Sequence, residues 1–170
     1  MFFDNYPEFI ESDNRSKRVD SQVTSESMSK RCEAFLPKDL IQGKTILDLG
    51  CCVGAMGHWC LSNGASHYTG VEAQAQYSDL ANHLLSKHHQ QTQFQIDNIG
   101  ITSFLLLKTL QYKWYDVVIC LGVIYAFVDP IKVIHDLTRM GNVIVIDAMF
   151  PVFDYGNNKI VELIDSQKIN

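Results

Sequence analysis

Apolar and polar positions along the chain change period several times, and each change marks an element. Residues 1 to about 25 are polar and hold no sustained period, which predicts an N-terminal extension, 1–25, whose order depends on a partner or ligand. Met28, Cys32, Phe35 and Leu36 then recur at helical spacing and Pro37 ends the run, predicting a helix at about 26 to 36. "KTILDLG" is a short apolar run closed by glycine, and "AMGHWCLSNG" after it has helical character and an Asn-Gly stop. "HYTGVEA" reads as a second strand, followed by Tyr77, Leu80, Ala81, Leu84 and Leu85 at the spacing of a half-buried helix. "TQFQID" makes a third strand, "TSFLLLKTLQ" a helix, and "YDVVICLG" a fourth strand apolar on both faces. Pro130 is placed to open a further helix with Ile131, Ile134 and Leu137 as its buried stripe, before "GNVIVIDAMF" supplies a fifth strand.

Strands that are apolar throughout are what a parallel sheet covered on both sides requires. Their alternation with helices implies right-handed crossovers. The expected fold class is therefore α/β, a doubly wound, mostly parallel, Rossmann-like sheet with helices on both faces, built from residues 26–170. In such a sheet a ligand lies at the carboxyl ends of the strands, where the strand order reverses.

The turn after the first strand carries the first chemical signal. Asp48, Gly50 and Gly54 form D-x-G-x-x-x-G at a strand-to-helix junction. Gly50 permits a tight turn, and Gly54 allows helix and strand to approach closely. Between them stands Cys52, where a dinucleotide site needs a glycine so that the backbone can close on a pyrophosphate. NAD and FAD are disfavoured on that ground. The P-loop reading fails too, because no Lys-Ser or Lys-Thr pair follows the turn. What remains is a cofactor with an adenosine and no phosphate.

At this point "LDLGCCVG" resembles the first motif of the class I S-adenosylmethionine-dependent methyltransferases, over about Lys44 to Phe150. The resemblance implies a cofactor, S-adenosyl-L-methionine, whose methionine portion packs on the turn backbone of Gly50, Cys51, Cys52 and Gly54. It implies that Asp48 orders the turn or reaches the cofactor's amino group. Glu72, with Ala73 beside it, ends the second strand, where a carboxylate can accept both ribose hydroxyls; the plainer alternative is a charge set against a helix dipole. Asp97 matches the acid beside the adenine amino group, with Asn98 and Ile99 lining the ring. "YDVVICLGVIYAFVDPIKVI" resembles the pattern after the family's fourth strand, most closely that of the wobble-uridine tRNA (carboxy)methyltransferases, which makes Leu121 and Tyr125 lining residues. Ala126 stands where that group often has His. The family usually adds two strands after the fifth, so the resemblance implies a fragment of a longer protein or a minimal domain.

Composition narrows the partner. A net charge of −5 and a pI near 5.6 weigh against a nucleic-acid surface, which needs clustered Lys and Arg. Arg15, Lys17 and Arg18 sit among acids and serines and read as a solvated segment. The expected acceptor is a small molecule before a nucleic acid. Five cysteines, two of them adjacent, suit reduced thiols in a cytoplasmic protein better than a disulfide framework. The acidic start is unlike a signal peptide, and no apolar run reaches the roughly 20 residues of a membrane span. No metal is expected: His83, His88 and His89 lack i, i+4 geometry, and Cys51, Cys52, His58 and Cys60 lack zinc spacing. Cys51 and Cys52 read as small filler under the helix, with a redox pair as the rival, and Met56 and Trp59 as packing.

Methyl transfer from a sulfonium is an in-line displacement that needs alignment and water exclusion more than a catalytic side chain. Tyr125 is the candidate for contact with the acceptor. The leading expectation is a methyltransferase. Its alternative is a methyltransferase-like binding or regulatory module that acts through a partner.

Overall fold

In the computed structural model, residues 1–13, 23–111 and 114–147 are described. Five parallel strands form one sheet: β1 (Thr45–Leu49), β2 (His67–Glu72), β3 (Phe94–Asn98), β4 (Tyr115–Leu121) and β5 (Gly141–Asp147), in the order β3-β2-β1-β4-β5. The order reverses between β1 and β4. Glu72 pairs with Asn98 and Leu121 with Asp147, so the carboxyl ends of the strands line one edge. This is the α/β, Rossmann-like architecture that the apolar strands imply. Of "GNVIVIDAMF", the last three residues lie outside the described residues, as does everything to Asn170.

Alternation of side chains across the sheet divides the core in two. Ile46, Tyr68, Val117 and Ile119 face a layer made by α2 (Ser25–Phe35), the one-turn α3 (Lys38–Ile41), α4 (Ala55–Ser62) and α5 (Ala75–His88). Leu47, Leu49, Val71, Val118 and Cys120 face α6 (Ile101–Gln111) and α7 (Pro130–Thr138). The helices start where capping groups allow. Thr24 accepts the Ser27 N–H and Ser27 returns the bond to the Thr24 N–H at the head of α2. Asp129 accepts the Lys132 N–H ahead of Pro130 on α7. The buried stripe of α7 differs from the expected one: Val133 and Leu137 are inside, while Ile131 is 74% exposed. Val133 and Leu137 stand four apart and so share one face of α7, with Ile134 partly buried beside them.

The first thirteen residues depart from the expectation of an extension ordered by a partner. They form a 3-10 turn, Phe2–Asn5, and a one-turn helix α1, Glu8–Glu11, with Phe3 and Phe9 fully buried. Phe9 stacks on His58 of α4 at 4.6 Å, and Phe2 meets Trp59 edge to face at 5.0 Å. The Phe3 N–H donates to Ser29 Oγ, and Glu8 pairs with His88 at 2.7 Å. Trp59 and Met56 pack as expected, the indole N–H donating to the Leu36 carbonyl. Between α1, α4 and α5 three imidazoles meet, and His58 Nδ1 lies 2.8 Å from His89 Nε2. His58 is pushed down to about 3, by burial first and then by His89 and His88. His89 is pushed down to about 4, again chiefly by burial.

Two outcomes follow. Phe9→Ala lowers stability in denaturant unfolding by about 3–5 kcal/mol, as for a core aromatic; a change near about 0.5 kcal/mol, as for a surface site, contradicts the packing. Because both imidazoles titrate lower in the folded protein, the unfolded chain binds more protons below the ordinary value of 6.5. Their contribution is therefore complete above that pH and is lost as the pH falls toward 4 and 3. A melting temperature followed from pH 7 to 4 falls, and it falls less in His58→Phe.

Candidate functional site

The turn between β1 and α4 is held in left-handed backbone at three alternate positions: Gly50 (φ +82°), Cys52 (φ +51°) and Gly54 (φ +80°). A Cβ on Gly50 would stand 2.7 Å from Val123 Cγ1, so only glycine lets the loop after β4 close on the turn. A Cβ on Gly54 would press on Ala81 and Leu85 of α5 at 3.2–3.3 Å; the close approach expected there is between helices and not between helix and strand. Cys52 adopts the conformation that the missing glycine would take freely, at a cost of about 1–2 kcal/mol for an L-residue.

Glu72 offsets that cost. Its Oε2 accepts the Cys52 N–H at 3.1 Å and its Oε1 accepts the Gln74 N–H at 2.9 Å. Bonds from backbone N–H to a carboxylate are charge-assisted and among the stronger ones. The carboxylate at the end of β2 is thereby fastened to the turn after β1 and to the residue before α5. Each oxygen keeps a lone pair for a further donor.

Two cavities open on this turn. The larger, about 470 Å³, is lined by Glu72, Ala73, Gln74, Tyr77, Ile101, Val123, Ala126 and Phe127. The smaller, about 40 Å³, lies over the turn among Asp48, Cys51, Val53, Met56, Leu121, Met28 and Arg31. Asp13, Gly50 and Cys52 line both. They make one crevice with two lobes, at the reversal of strand order. A further cavity of about 460 Å³ sits between α6 and α7 and contains no residue of the turn.

In the smaller lobe Asp48 is 4% exposed and accepts the Tyr68 hydroxyl at 2.7 Å. Cys51 is buried, and its Sγ fills the space beside Gly70, where a Cβ would come within 2.8 Å. Burial first, then the Asp48 charge, pushes the Cys51 thiol well up, opposite to the lowered value of a reactive thiolate. Arg31 of α2 reaches across to Asp147 at the end of β5, 2.8 Å away.

Of the residues expected at the site, Asp48, Gly50, Cys51, Cys52, Glu72, Ala73 and Leu121 line the crevice, and Gly54 shapes it from behind. Asp97, Asn98 and Ile99 instead line a separate hollow with Phe104, Leu107 and Lys108. The reason is strand parity: β3 runs on to Asn98, so Asp97 pairs with Val71 and faces the α6 side. Asn98 serves as a tie, its side-chain amide donating to the Glu72 and Ala73 carbonyls. Tyr125 is 55% exposed and lines neither lobe; Val123, Ala126 and Phe127 of the same loop do. Asp13, Met28, Arg31 and Ile101 were not read from the sequence, and an unperiodic N-terminal segment gives no signal for the first of them. Among the described residues, no cluster of His, Cys, Asp or Glu is arranged for a metal ion, and no helix is long and apolar enough to cross a membrane.

Comparison with known proteins decides the family, because a family model described as a methyltransferase domain matches residues 19–145. The chain belongs to the methyltransferase domain family. Its class I fold is shared with a protein assigned as a SAM-dependent methyltransferase from Streptococcus mutans (TM-score 0.62, 16% identity, 70% of this chain and 34% of that one). YhhF from Escherichia coli, a protein assigned as a methyltransferase, superposes with a TM-score of 0.61 at 17% identity, over 78% of this chain and 71% of its own. The N-terminal domain of EvdMO1, with S-adenosylhomocysteine (SAH) bound, gives 0.53 at 24%, over 71% and 47%. The chain spans about a third of the length of the first two structures it matches. No curated protein sequence matches it. The resemblance carried by "LDLGCCVG" thus names the right family and the right fold.

The left-handed backbone at Cys52 gives a direct test. Cys52→Gly leaves the melting free energy unchanged or raises it by up to about 1 kcal/mol, while the β-branched Cys52→Val lowers it by more than that. A large loss in the glycine variant, read by thermal unfolding, contradicts the account of the turn.

Proposed function

We propose that the crevice holds S-adenosylmethionine stretched across its two lobes, and that the domain transfers the methyl group to a small-molecule acceptor. The observation that carries this reading is the Glu72 carboxylate, fastened to the turn and lining the larger lobe. It retains acceptor capacity for a vicinal diol, which is what a ribose presents. The residues fit the cofactor in other respects. Ile101, Val123 and Phe127 give the larger lobe apolar walls suited to an adenine ring. The smaller lobe offers Asp48 to an ammonium group and Arg31 to a carboxylate. Met28 and Met56 border that narrow lobe, and thioether chains with several rotatable bonds can turn aside to admit a methionine chain. Cys52 in the middle of the turn suits a ligand with no pyrophosphate.

When bound, the cofactor supplies an electrophilic methyl group on sulfur. The part played by the chain is geometric: the turn fixes the cofactor's two ends, and the loop from Val123 to Phe127 closes over it and excludes water. The net charge of −5 supports a small acceptor over a polyanionic one. The likeness of the "GVIYA" segment to the wobble-uridine tRNA group is offset by Ala126 and by the outward position of Tyr125. Five free cysteines, four of them buried, support a reducing, cytoplasmic setting.

A second reading, a domain that binds the cofactor without turning it over, is favoured by Tyr125, whose 55% exposure outside both lobes leaves the crevice without its one candidate for acceptor contact. Isothermal titration separates the possibilities. S-adenosylmethionine and SAH are expected to bind and NAD is not, and Glu72→Gln weakens binding by about tenfold or more, the worth of a hydrogen bond to a charged group. Binding of NAD, or an unaltered affinity in a folded Glu72→Gln variant, overturns the assignment. Formation of SAH with candidate acceptors then distinguishes an enzyme from a binding module.

A further inference from the structure

Among the described residues that line the two lobes, Arg31 is the only cation, and its charge is already shared. Nη2 donates to Asp147 Oδ2 at 2.8 Å, across 116 positions of sequence. The place of this pair is set from both sides. The Asp147 carbonyl accepts the Gly122 N–H at 2.8 Å, and Asp147 stands in register with Leu121, which lines the smaller lobe. The guanidinium lies over the Phe35 ring at 5.9 Å, and a Cβ on Gly122 would stand 3.7 Å from Nη2. The head group is thereby fixed at the carboxyl ends of β4 and β5, on the rim of the smaller lobe. Of the five N–H donors of a guanidinium, one is engaged, and Nε–H has no partner among the described residues. The pair thus compensates the charge of Arg31 while leaving most of its hydrogen-bonding capacity unused.

Adenosine phosphates present the same ribose and adenine as S-adenosylmethionine, with a polyanion where the latter carries an ammonium and a carboxylate. A guanidinium with its charge intact is a strong phosphate ligand, because its planar fork matches the oxygens of the anion. Cys52 denies a pyrophosphate the close backbone of the turn, but a monophosphate makes no such demand. Resting on the reading that S-adenosylmethionine spans the crevice, we propose that Asp147 is a specificity residue that compensates the charge of Arg31, so that the crevice refuses adenosine phosphates and admits a zwitterionic amino-acid end. Asp147 acts through Arg31 and is a positioning residue, not a catalytic one. The unused N–H donors of Arg31 still give a ligand carboxylate its hydrogen bonds, and Asp48 takes the ammonium group, so a zwitterion gains at both ends and adds no net charge. A monophosphate brings nearly two negative charges at neutral pH to a crevice bordered by Asp48 and Glu72, with no uncompensated cation to meet them. The side chains of Arg31 and Asp147 are 34% and 39% exposed, so solvent screens the effect and limits it to about tenfold in affinity.

The test compares two ligands on two proteins. Titrate wild type and Asp147→Asn, which keeps an oxygen for the Arg31 bond and removes the charge, with SAH and with adenosine monophosphate. Wild type is expected to bind SAH more tightly than the monophosphate. Asp147→Asn strengthens the monophosphate by about tenfold and alters SAH by less than about threefold, so that the ratio of the two affinities shifts. The gain shrinks as salt is added, as for a partly exposed charge, and Asp147→Glu retains the wild-type ratio. A merely structural role for Asp147 moves both ligands together and leaves the ratio unchanged; that result overturns the proposal while leaving cofactor binding in place, as does wild type that binds the monophosphate as tightly as SAH. Wild type that binds neither ligand overturns the underlying reading as well. Asp147→Thr removes the same charge, and the same ratio is read from it if the asparagine variant does not fold.

Discussion

The Glu72 carboxylate, with one oxygen on the Cys52 N–H and the other on the Gln74 N–H, is the constraint on which the rest of the site depends. It joins three elements, the end of β2, the turn after β1 and the head of α5, and it adds to the bonds that the Gly50 and Cys51 N–H groups donate to the Val71 carbonyl at 2.8 and 3.1 Å. A left-handed cysteine in the middle of that turn is an unfavourable choice of residue, and it persists because its amide is held from the neighbouring strand. Replacing the carboxylate would release the turn after β1 and the head of α5 together. The same bonds orient the oxygens, so the group that fixes the turn also presents its remaining lone pairs to a ligand.

Around this point the fold supplies walls of different origin. The reversal of strand order between β1 and β4 leaves a gap at the carboxyl edge, since successive crossovers run to opposite sides. The loop after β4 closes one side of the gap, and it comes as near as it does because Gly50 has no side chain. The N-terminal segment closes another side with Asp13. Three carboxylates, Asp13, Asp48 and Glu72, border the crevice, against the Arg31 guanidinium, which shares its charge with Asp147 and keeps further N–H donors for a ligand. That balance favours a ligand with cationic centres and neutral hydroxyls over a phosphate, which agrees with the absence of a middle glycine in the turn.

The strands and their order were legible because a parallel sheet covered on both faces demands unbroken apolar runs, and "KTILDLG" and "YDVVICLG" are such runs. The turn was legible because its backbone geometry requires glycine at two positions. Other features lay beyond the pattern. The N-terminal segment buries Phe3 and Phe9 through two one-turn elements, too short to show a period. Asp97 missed the crevice for a different reason: at the end of a strand a shift of one residue moves a side chain to the opposite face, whereas Tyr125 lies beyond β4 in the 3-10 turn Ile124–Ala126 and is exposed. The extra residue that carries β3 on to Asn98 is set by its pairing with Glu72, a long-range contact that local spacing does not encode. The Glu72 bonds to the turn belong to the same category, since residues 20 positions apart make them.

In the proposed function one crevice, bordered on both lobes by Asp13, Gly50 and Cys52, receives the two ends of a single nucleoside-linked amino acid. A crystal structure of the protein grown with SAH tests it most directly. Both ribose hydroxyls are expected on the Glu72 carboxylate, the amino-acid end over the turn beside Asp48, and the sulfur at the boundary between the lobes. Density for the nucleoside in the hollow beside Asp97, or between α6 and α7, would contradict it.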